Sequence, residues 1–162
     1  MSLRTAGPAD LAAIMRIERS SFPSDAWSEA AMAAELASPY GHYLVLEVGA
    51  VVVGYAGLRA VPGSADADIQ TIALDAAYRG RGRGRALLTE LLAEAERRGA
   101  REVFLEVRAD NPVAAGLYLA EGFVEIGRRP RYYQPDDVDA IVMKVDLRAR
   151  AAAGQAEAGA CT

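Results

Sequence analysis

The chain has 162 residues, of which 52% are hydrophobic and 25% charged, and its formal net charge at pH 7 is −4. This length fits one domain, and this composition is typical of a globular protein rather than a disordered one. The acidic balance argues against a broadly basic nucleic-acid binder, and a single cysteine with a single histidine excludes both a disulfide framework and a Cys/His zinc site. We find no apolar stretch that could span a bilayer and no secretory leader, so we expect a cytoplasmic protein that uses no metal.

The first half of the chain predicts two helices and four strands. A short edge strand over Leu3 to Thr5 precedes a helix over Asp10 to Arg19, which has the apolar spacing of a helix. Ser28, a residue type that caps helix N-termini, begins a second helix that runs to Leu36. Three apolar or β-branched runs predict strands over Tyr43 to Val48, Val51 to Leu58 and Ser64 to Leu74, the first two joined as a hairpin.

The second half contains the clearest helical pattern, a stripe of leucines, and alternates helix with strand. It predicts helices over Gly84 to Arg98 and Asn111 to Glu121, and strands over Glu102 to Val107, Phe123 to Arg128 and Ala140 to Leu147. This order predicts one α/β domain over residues 1–148, with helices on the faces of a mixed sheet. We expect residues 149–162 to form a disordered tail, because their Ala/Gly-rich sequence buries too little apolar surface to offset the entropy of ordering.

A glycine-rich loop separates the predicted strand that ends at Leu74 from the leucine-striped helix. It reads Arg79, Gly80, Arg81, Gly82, Arg83, Gly84, Arg85. Glycines let backbone N–H groups approach a ligand closely, and a helix N-terminus adds free donors and partial positive charge. With the arginines, these groups suit a phosphate or diphosphate, although a solvated basic turn or an RNA-binding patch explains the same residues. The single lysine of the chain is Lys144, which excludes a Walker loop, and the glycine spacing is wrong for a dinucleotide fingerprint.

Glu106 places a charge in a strand that has bulky apolar residues on both faces. That pattern predicts a central strand covered on both sides, with Glu106 near the end at which open α/β sheets bind ligands. A partly buried carboxylate with a raised pKa suits a general base, and an ion pair with Arg108 or Arg101 is the structural alternative. Tyr118, in the next helix, either faces the same cleft or packs beside Leu117.

Together these features resemble the GCN5-related N-acetyltransferase (GNAT) superfamily, over about Leu3 to Leu147. The acetyl-CoA motif of that superfamily, Arg/Gln-x-x-Gly-x-Gly/Ala, corresponds here to Arg79-Gly80-Arg81-Gly82-Arg83-Gly84, after Ile72-Ala73-Leu74-Asp75. Further stretches resemble its RimI-type branch, which acetylates the N-terminal alanine of ribosomal proteins: Ile69 to Leu74, Leu105 to Asn111, Leu117-Tyr118, Glu121 to Phe123 and Arg131 to Tyr133.

The resemblance implies the GNAT fold, a mostly antiparallel central sheet with a splayed parallel pair and helices on both faces. It implies direct acetyl transfer with Glu106 as general base and Tyr118 as general acid, and a backbone N–H near Ile72 that polarises the thioester carbonyl. By the same resemblance, acetyl-CoA is bound by Ile72, Ala73, Leu74, Arg79, Gly80, Arg81, Gly82, Arg83, Gly84, Arg85 and Asn111. Trp27, Tyr132 and Tyr133 lie in predicted loops, where they either line the acceptor cleft or close a small core.

The resemblance leaves the acceptor open. The expected acceptor is the N-terminal alanine of a small-subunit ribosomal protein, and the alternatives are a lysine side chain or a small amine. An acidic pocket built from Asp136, Asp137 and Asp139 would favour a polyamine. A CoA-binding module without catalysis is the alternative from another class. We expect neither nucleic acid nor membrane as a direct partner, and a monomer or weak dimer.

Overall fold

The computed structural model describes residues 1–160, and every helix and strand predicted for the body of the chain occurs in it. The strands are β1 (Ser2–Thr5), β2 (Gly41–Val48), β3 (Val51–Arg59), β4 (Asp66–Leu74), β5 (Glu102–Arg108), β6 (Val124–Tyr133) and β7 (Val138–Asp146). The helices are α1 (Leu11–Ser21), α2 (Glu29–Ala37), α3 (Arg83–Arg97), α4 (Pro112–Ala120) and α5 (Leu147–Ala160).

The strands form one sheet in the order β1-β2-β3-β4-β5-β7-β6. All neighbouring strands are antiparallel except β4 and β5, which pair in parallel only from Asp66 with Glu102 to Asp68 with Phe104. Beyond Asp68 the two strands separate, which confirms the expected mostly antiparallel sheet with a splayed parallel pair. Because backbone polar groups need partners, the edge of β4 that faces this gap is available to a ligand.

Two hydrophobic clusters cover opposite faces of the sheet. The larger contains the predicted leucine stripe of α3, whose members Leu87, Leu88, Leu91, Leu92 and Ala95 are all buried. The smaller joins residues of α1 and α2, such as Ile14 and Met32, to Tyr43 and Tyr55 of the neighbouring strands. Helices therefore lie on both faces, as the sequence predicts.

Strand β5 differs from its prediction, because only one of its faces is buried. Val103, Leu105 and Val107 are buried, whereas the alternate residues, including Glu106 and Arg108, are only half-buried. The helices on that second face, α1 and α2, pack mainly on β2, β3 and β4. The prediction of two covered faces was wrong here, and the open face of β5 is free to line a binding site.

At the C-terminus α5 extends from Leu147 to Ala160, over a segment for which the sequence predicts disorder from residue 149. Alanine has the highest helix propensity, which favours a helix even without a buried face. Leu147 is buried, and Arg150 donates from Nη2 to Glu121 Oε2 at 3.0 Å, so the first turn is attached to the domain. Residues 161 and 162 of the predicted tail lie outside the described residues.

Two further observations concern residues 1–160. No helix among them combines the length and apolar character that crossing a membrane requires. Nor do these residues contain a group of three or more His, Cys, Asp or Glu side chains arranged to hold a metal ion.

Candidate active site

Two cavities meet where β4 and β5 separate. The first has a volume of about 420 Å³ and the second about 440 Å³. Phe22, Ile72, Asn111, Ala114 and Tyr118 line both cavities. The cavities therefore form one groove that crosses the sheet at the splayed strands, with these side chains at its middle.

The glycine loop and the open edge of β4 enclose the first cavity. Its lining includes most of the residues expected to bind acetyl-CoA, namely Ile72, Ala73, Leu74, Arg79, Gly80, Gly82, Gly84, Arg85 and Asn111. Gly80 and Gly82 have φ angles of +90° and +76°, a left-handed conformation that other residues rarely adopt. A Cβ built on either glycine would have no atom within 4 Å, so the loop leaves open space above its backbone.

The four arginines of the loop do not all face this cavity. Arg79 and Arg85 line it, whereas Arg81 and Arg83, which the resemblance assigns to acetyl-CoA binding, are outside its lining. Arg83 Nη1 donates to the Tyr78 carbonyl at 3.1 Å, and the Arg83 guanidinium lies 5.3 Å from the centre of the Tyr78 ring. Arg81 is exposed and has no ion pair within residues 1–160. Arg79 and Arg85 are thus the loop arginines that line the cavity, and the expected binding of acetyl-CoA by Arg81 and Arg83 stays a prediction.

The two lining arginines are themselves held by the protein. Arg79 Nε donates to the Leu74 carbonyl at 3.1 Å, which ties the loop back to the end of β4. Arg85 Nε lies 2.6 Å from Oε1 of Glu121, a buried carboxylate that also pairs with Arg150. These contacts orient both guanidiniums at the rim of the cavity.

Tyr118 lies in α4, and Asn111 immediately precedes the first residue of that helix, just after the end of β5. The Asn111 side chain accepts a hydrogen bond from the Ala114 N–H at 3.2 Å, which confirms the predicted N-cap. Tyr118 packs against Phe123 with ring centres 5.6 Å apart. Burial raises the pKa of the Tyr118 hydroxyl, so this group stays protonated at neutral pH. A protonated phenol thus borders both cavities.

Glu106 lines the second cavity from the open face of β5. Its Oε1 lies 3.0 Å from Arg129 Nε on β6, so its ion-pair partner is neither Arg108 nor Arg101. The Arg129 guanidinium lies 5.7 Å from the centre of the Tyr132 ring. The Glu106 carboxylate raises the pKa of the Tyr132 hydroxyl, which reflects how close the two groups are. Glu106 is thus half-buried, paired with Arg129 and accessible from the cavity.

Trp27, Tyr132 and Tyr133 all line the second cavity. Tyr132 and Tyr133 pack edge to face with ring centres 5.1 Å apart. The guanidinium of Arg108 lies 5.2 Å from the centre of the Tyr133 ring. The two tyrosines come from the C-terminal end of β6, and Trp27 comes from the connection between α1 and α2.

Arg108 connects the loops that surround this cavity. Its guanidinium pairs with Asp25 at 3.4 Å, with Asp110 at 2.9 Å and with Asp136 at 3.1 Å. These carboxylates belong to three different loops, and the Arg108 side chain is only 16% exposed. Such a half-buried arginine with several carboxylate partners fixes the relative positions of the loops.

The three aspartates proposed for a polyamine pocket do not form one. Asp136 pairs with Arg108, Asp137 accepts a hydrogen bond from Gln134 Nε2 at 2.7 Å, and Asp139 accepts one from the Arg131 N–H at 3.0 Å. None of them lines the second cavity. Asp137 and Asp139 thus stabilise the connection between β6 and β7, and Asp136 ties that connection to β5, so all three carboxylates are used within the protein.

Sequence reasoning missed several residues of the second cavity, of which Glu18, Gln70 and Thr71 are polar and lie beneath it. Gln70 is an extra residue in β4, since Gly57 pairs with Thr71 but Leu58 pairs with Ile69. Such a bulge has no signature in this sequence. Glu18, however, follows Ile14 and Ile17 on the apolar stripe of α1, and a carboxylate on a buried helix face is a detectable signal.

The chain is similar to known acetyltransferases in sequence. The acetyltransferase (GNAT) family matches the chain over residues 11–123. The N-alpha-acetyltransferase RimI of Mycobacterium tuberculosis is 45% identical over 124 residues, covering 75% of this chain and 77% of that protein. A longer protein of Mycobacterium leprae is 42% identical over 143 residues, and the chain spans only 39% of its length.

Solved structures show the same fold. The ribosomal-protein-S18-alanine N-acetyltransferase from Escherichia coli superposes with a TM-score of 0.79 at 32% identity, covering 90% of this chain and 93% of that one. A Salmonella typhimurium acetyltransferase described with its cofactor acetyl-CoA has a TM-score of 0.78 at 23% identity, covering 91% of this chain and 94% of that one.

Proposed function

Because the chain belongs to the acetyltransferase (GNAT) family, we propose that it transfers the acetyl group of acetyl-CoA to the N-terminal α-amine of a protein. The observation that carries this proposal is the pair of cavities that meet at Tyr118, one beside the glycine loop and the other beside Glu106. The names of the relatives favour the N-terminal alanine of ribosomal protein bS18 as acceptor. Such an acceptor in turn favours a cytoplasmic location.

The first cavity fits acetyl-CoA. A diphosphate needs close backbone donors and positive charge, which the left-handed Gly80 and Gly82, the α3 N-terminus and the guanidiniums of Arg79 and Arg85 offer. The pantetheine arm carries amides, and the unpaired edge of β4 beside Ile72 offers matching N–H and C=O groups. Acetyl-CoA, when bound, supplies an activated thioester from which the acetyl group passes directly to an amine.

Gly82→Ala tests this cradle. A side chain at a φ of +76° costs roughly 1–2 kcal/mol and shifts the loop, so we expect the dissociation constant of acetyl-CoA to rise about tenfold or more. Isothermal titration calorimetry gives the measurement. Gly49→Ala is the matched control, because Gly49 has a φ of +63° in the β2–β3 turn and open space around it. Equal acetyl-CoA affinities in the two variants would exclude the loop as the diphosphate site.

Glu106 and Tyr118 divide the proton transfers. Glu106 accepts the proton of the acceptor ammonium, directly or through one water, because its carboxylate lines the cavity that admits the amine. Tyr118 gives its proton to the departing sulfur from the boundary of the two cavities. The raised pKa of Tyr118 makes transfer to a free thiolate more unfavourable than the roughly 2 kcal/mol between an ordinary phenol and thiol. The transfer therefore accompanies cleavage of the C–S bond.

Two arguments favour an α-amine over a lysine side chain. In water an α-amine has a pKa of about 8 and a lysine side chain one of about 10.4, so neutralising lysine at pH 7 costs roughly 3 kcal/mol more. The second cavity is walled by Trp27, Tyr132 and Tyr133, and such aromatic walls suit a single extended chain end.

A panel of acceptors tests the proposed function. We expect acetylation of peptides with the N-terminal sequence of bS18 that begin with alanine, and at least tenfold slower acetylation when a larger residue replaces that alanine. The controls are the same peptide with a blocked α-amine and an internal lysine, and a polyamine such as spermidine, with mass spectrometry locating the acetyl group. If the internal lysine or spermidine were acetylated faster than the alanine peptide, the acceptor would not be an N-terminal α-amine. Tight acetyl-CoA binding without turnover on any amine would leave a CoA-binding module.

A further inference from the structure

Glu18 is a buried carboxylate beside the acceptor cavity that the proposed proton transfers do not use. It is 1% exposed, it lines the second cavity, and it has no ion pair within residues 1–160. Its Oε1 accepts a hydrogen bond from the Trp27 N–H at 3.2 Å, and its Oε2 accepts one from the Tyr55 hydroxyl. An apolar side chain of similar size would avoid the cost of burying a carboxylate, so stability alone does not account for Glu18.

We infer that Glu18 is a positioning residue that holds the Trp27 segment against the sheet and thereby sets the width of the acceptor cleft. This inference rests on the proposed function, since it assigns the second cavity to the acceptor N-terminus. Glu18 thereby limits which N-terminal residues fit into the acceptor cleft, and it takes no part in the proton transfers.

The connection between α1 and α2 needs such an attachment. It has no regular secondary structure from Phe22 to Ser28, yet Phe22, Asp25 and Trp27 all line the second cavity. Asp25 makes two longer contacts, from its N–H to the Phe22 carbonyl at 3.3 Å and from its carboxylate to Arg108 at 3.4 Å. The bond from Glu18 is the contact that fixes the backbone of Trp27 itself.

The same carboxylate connects this wall to the floor of the cavity. The Tyr55 hydroxyl, which Glu18 binds, lies 3.3 Å from Thr71 Oγ1 on β4, and Thr71 lines the second cavity. One hydrogen-bonded chain therefore runs from Trp27 through Glu18 and Tyr55 to Thr71. Such a chain holds the wall at a fixed distance from β4, along which the acetyl donor is proposed to lie.

The chemistry of Glu18 suggests a conservative replacement. Burial raises the pKa of Glu18, so the neutral form is more favourable here than it is in an exposed glutamate. A glutamine has nearly the same shape as glutamate: its carbonyl oxygen accepts from Trp27, and its amide donates to the Tyr55 oxygen, whose own proton then goes to Thr71 Oγ1. Methionine has a similar length and suits a helix, but it cannot replace either hydrogen bond.

The experiment compares Glu18→Met, Glu18→Gln and a surface control, Glu96→Gln, by steady-state kinetics and by fluorescence. Trp27 is the only tryptophan of the chain, so acrylamide quenching of its emission reports directly on the segment. For Glu18→Met we expect about a tenfold higher KM for the acceptor peptide, with kcat and the dissociation constant of acetyl-CoA within about threefold of wild type. Quenching of Trp27 should increase in the same variant, and Glu18→Gln and Glu96→Gln should resemble wild type in both measurements.

A folded Glu18→Met protein with the KM and quenching of wild type would overturn the inference, as would a fall in kcat at unchanged KM. If Glu18→Met does not fold, hydrogen exchange in the wild-type protein decides, because a Trp27 amide that exchanges as fast as an unprotected loop amide has no hydrogen bond to Glu18.

Failure of the proposed function gives a different result. A wild-type protein that acetylates no N-terminal peptide refutes the function, while the quenching and exchange measurements still report on Glu18.

Discussion

Glu106→Gln is expected to lower kcat about 10²- to 10⁴-fold, the usual contribution of a positioned general base. The amide keeps the size and shape of the carboxylate but cannot accept the ammonium proton. It also removes the ion pair with Arg129, whose Nε lies 3.0 Å from Glu106 Oε1. Glu106 does not line the first cavity, so acetyl-CoA should bind with wild-type affinity. Stopped assays of peptide acetylation together with calorimetry of acetyl-CoA binding give the two measurements.

Glu102→Gln is the matched control for this variant. Glu102 lies on the same strand and the same face as Glu106, and its carboxylate pairs with Lys144 at 2.7 Å instead of lining the second cavity. Its replacement should leave kcat within about threefold of wild type. A wild-type kcat in folded Glu106→Gln would mean that solvent or another group takes the proton.

Tyr118→Phe is expected to lower kcat about 10²-fold or more, because the departing sulfur loses its proton donor. Phenylalanine keeps the packing against Phe123, so the melting temperature should stay close to that of wild type. The raised pKa of Tyr118 means that its hydroxyl remains protonated beyond the ordinary phenol pKa of about 10. Ionisation of Tyr118 should therefore cause no loss of wild-type kcat up to about pH 10, where an ordinary phenol would be half ionised, and a pH–rate profile tests this.

The control for Tyr118→Phe is Tyr40→Phe, at an exposed tyrosine that lies over Arg59 and borders neither cavity. Both variants lose one phenolic hydroxyl, but only Tyr118→Phe should lose activity. The loss of kcat in Tyr118→Phe should also depend on the acetyl donor. A thioester whose departing thiolate is a weaker base needs less help from an acid, so its loss of kcat should be smaller. Equal kcat values for Tyr118→Phe and wild type would remove Tyr118 from the proton transfer.

Short-range features of the site followed from the sequence alone. The Asn111 cap and the leucine stripe of α3 each depend on residues within a few positions of one another, and both occur as predicted. A cap requires a side-chain acceptor and a stripe requires helical spacing, so each pattern indicates one local structure. The order of helices and strands followed from the same local patterns.

The tertiary structure decided the partners of the charged side chains. Glu106 pairs with Arg129 because β7 and then β6 lie beside β5, an order that the sequence pattern of β5 does not contain. Arg85 pairs with Glu121, and Glu18 reaches Tyr55, for the same reason. Long side chains choose among several partners within reach, and which partners are within reach depends on contacts between residues far apart in the chain.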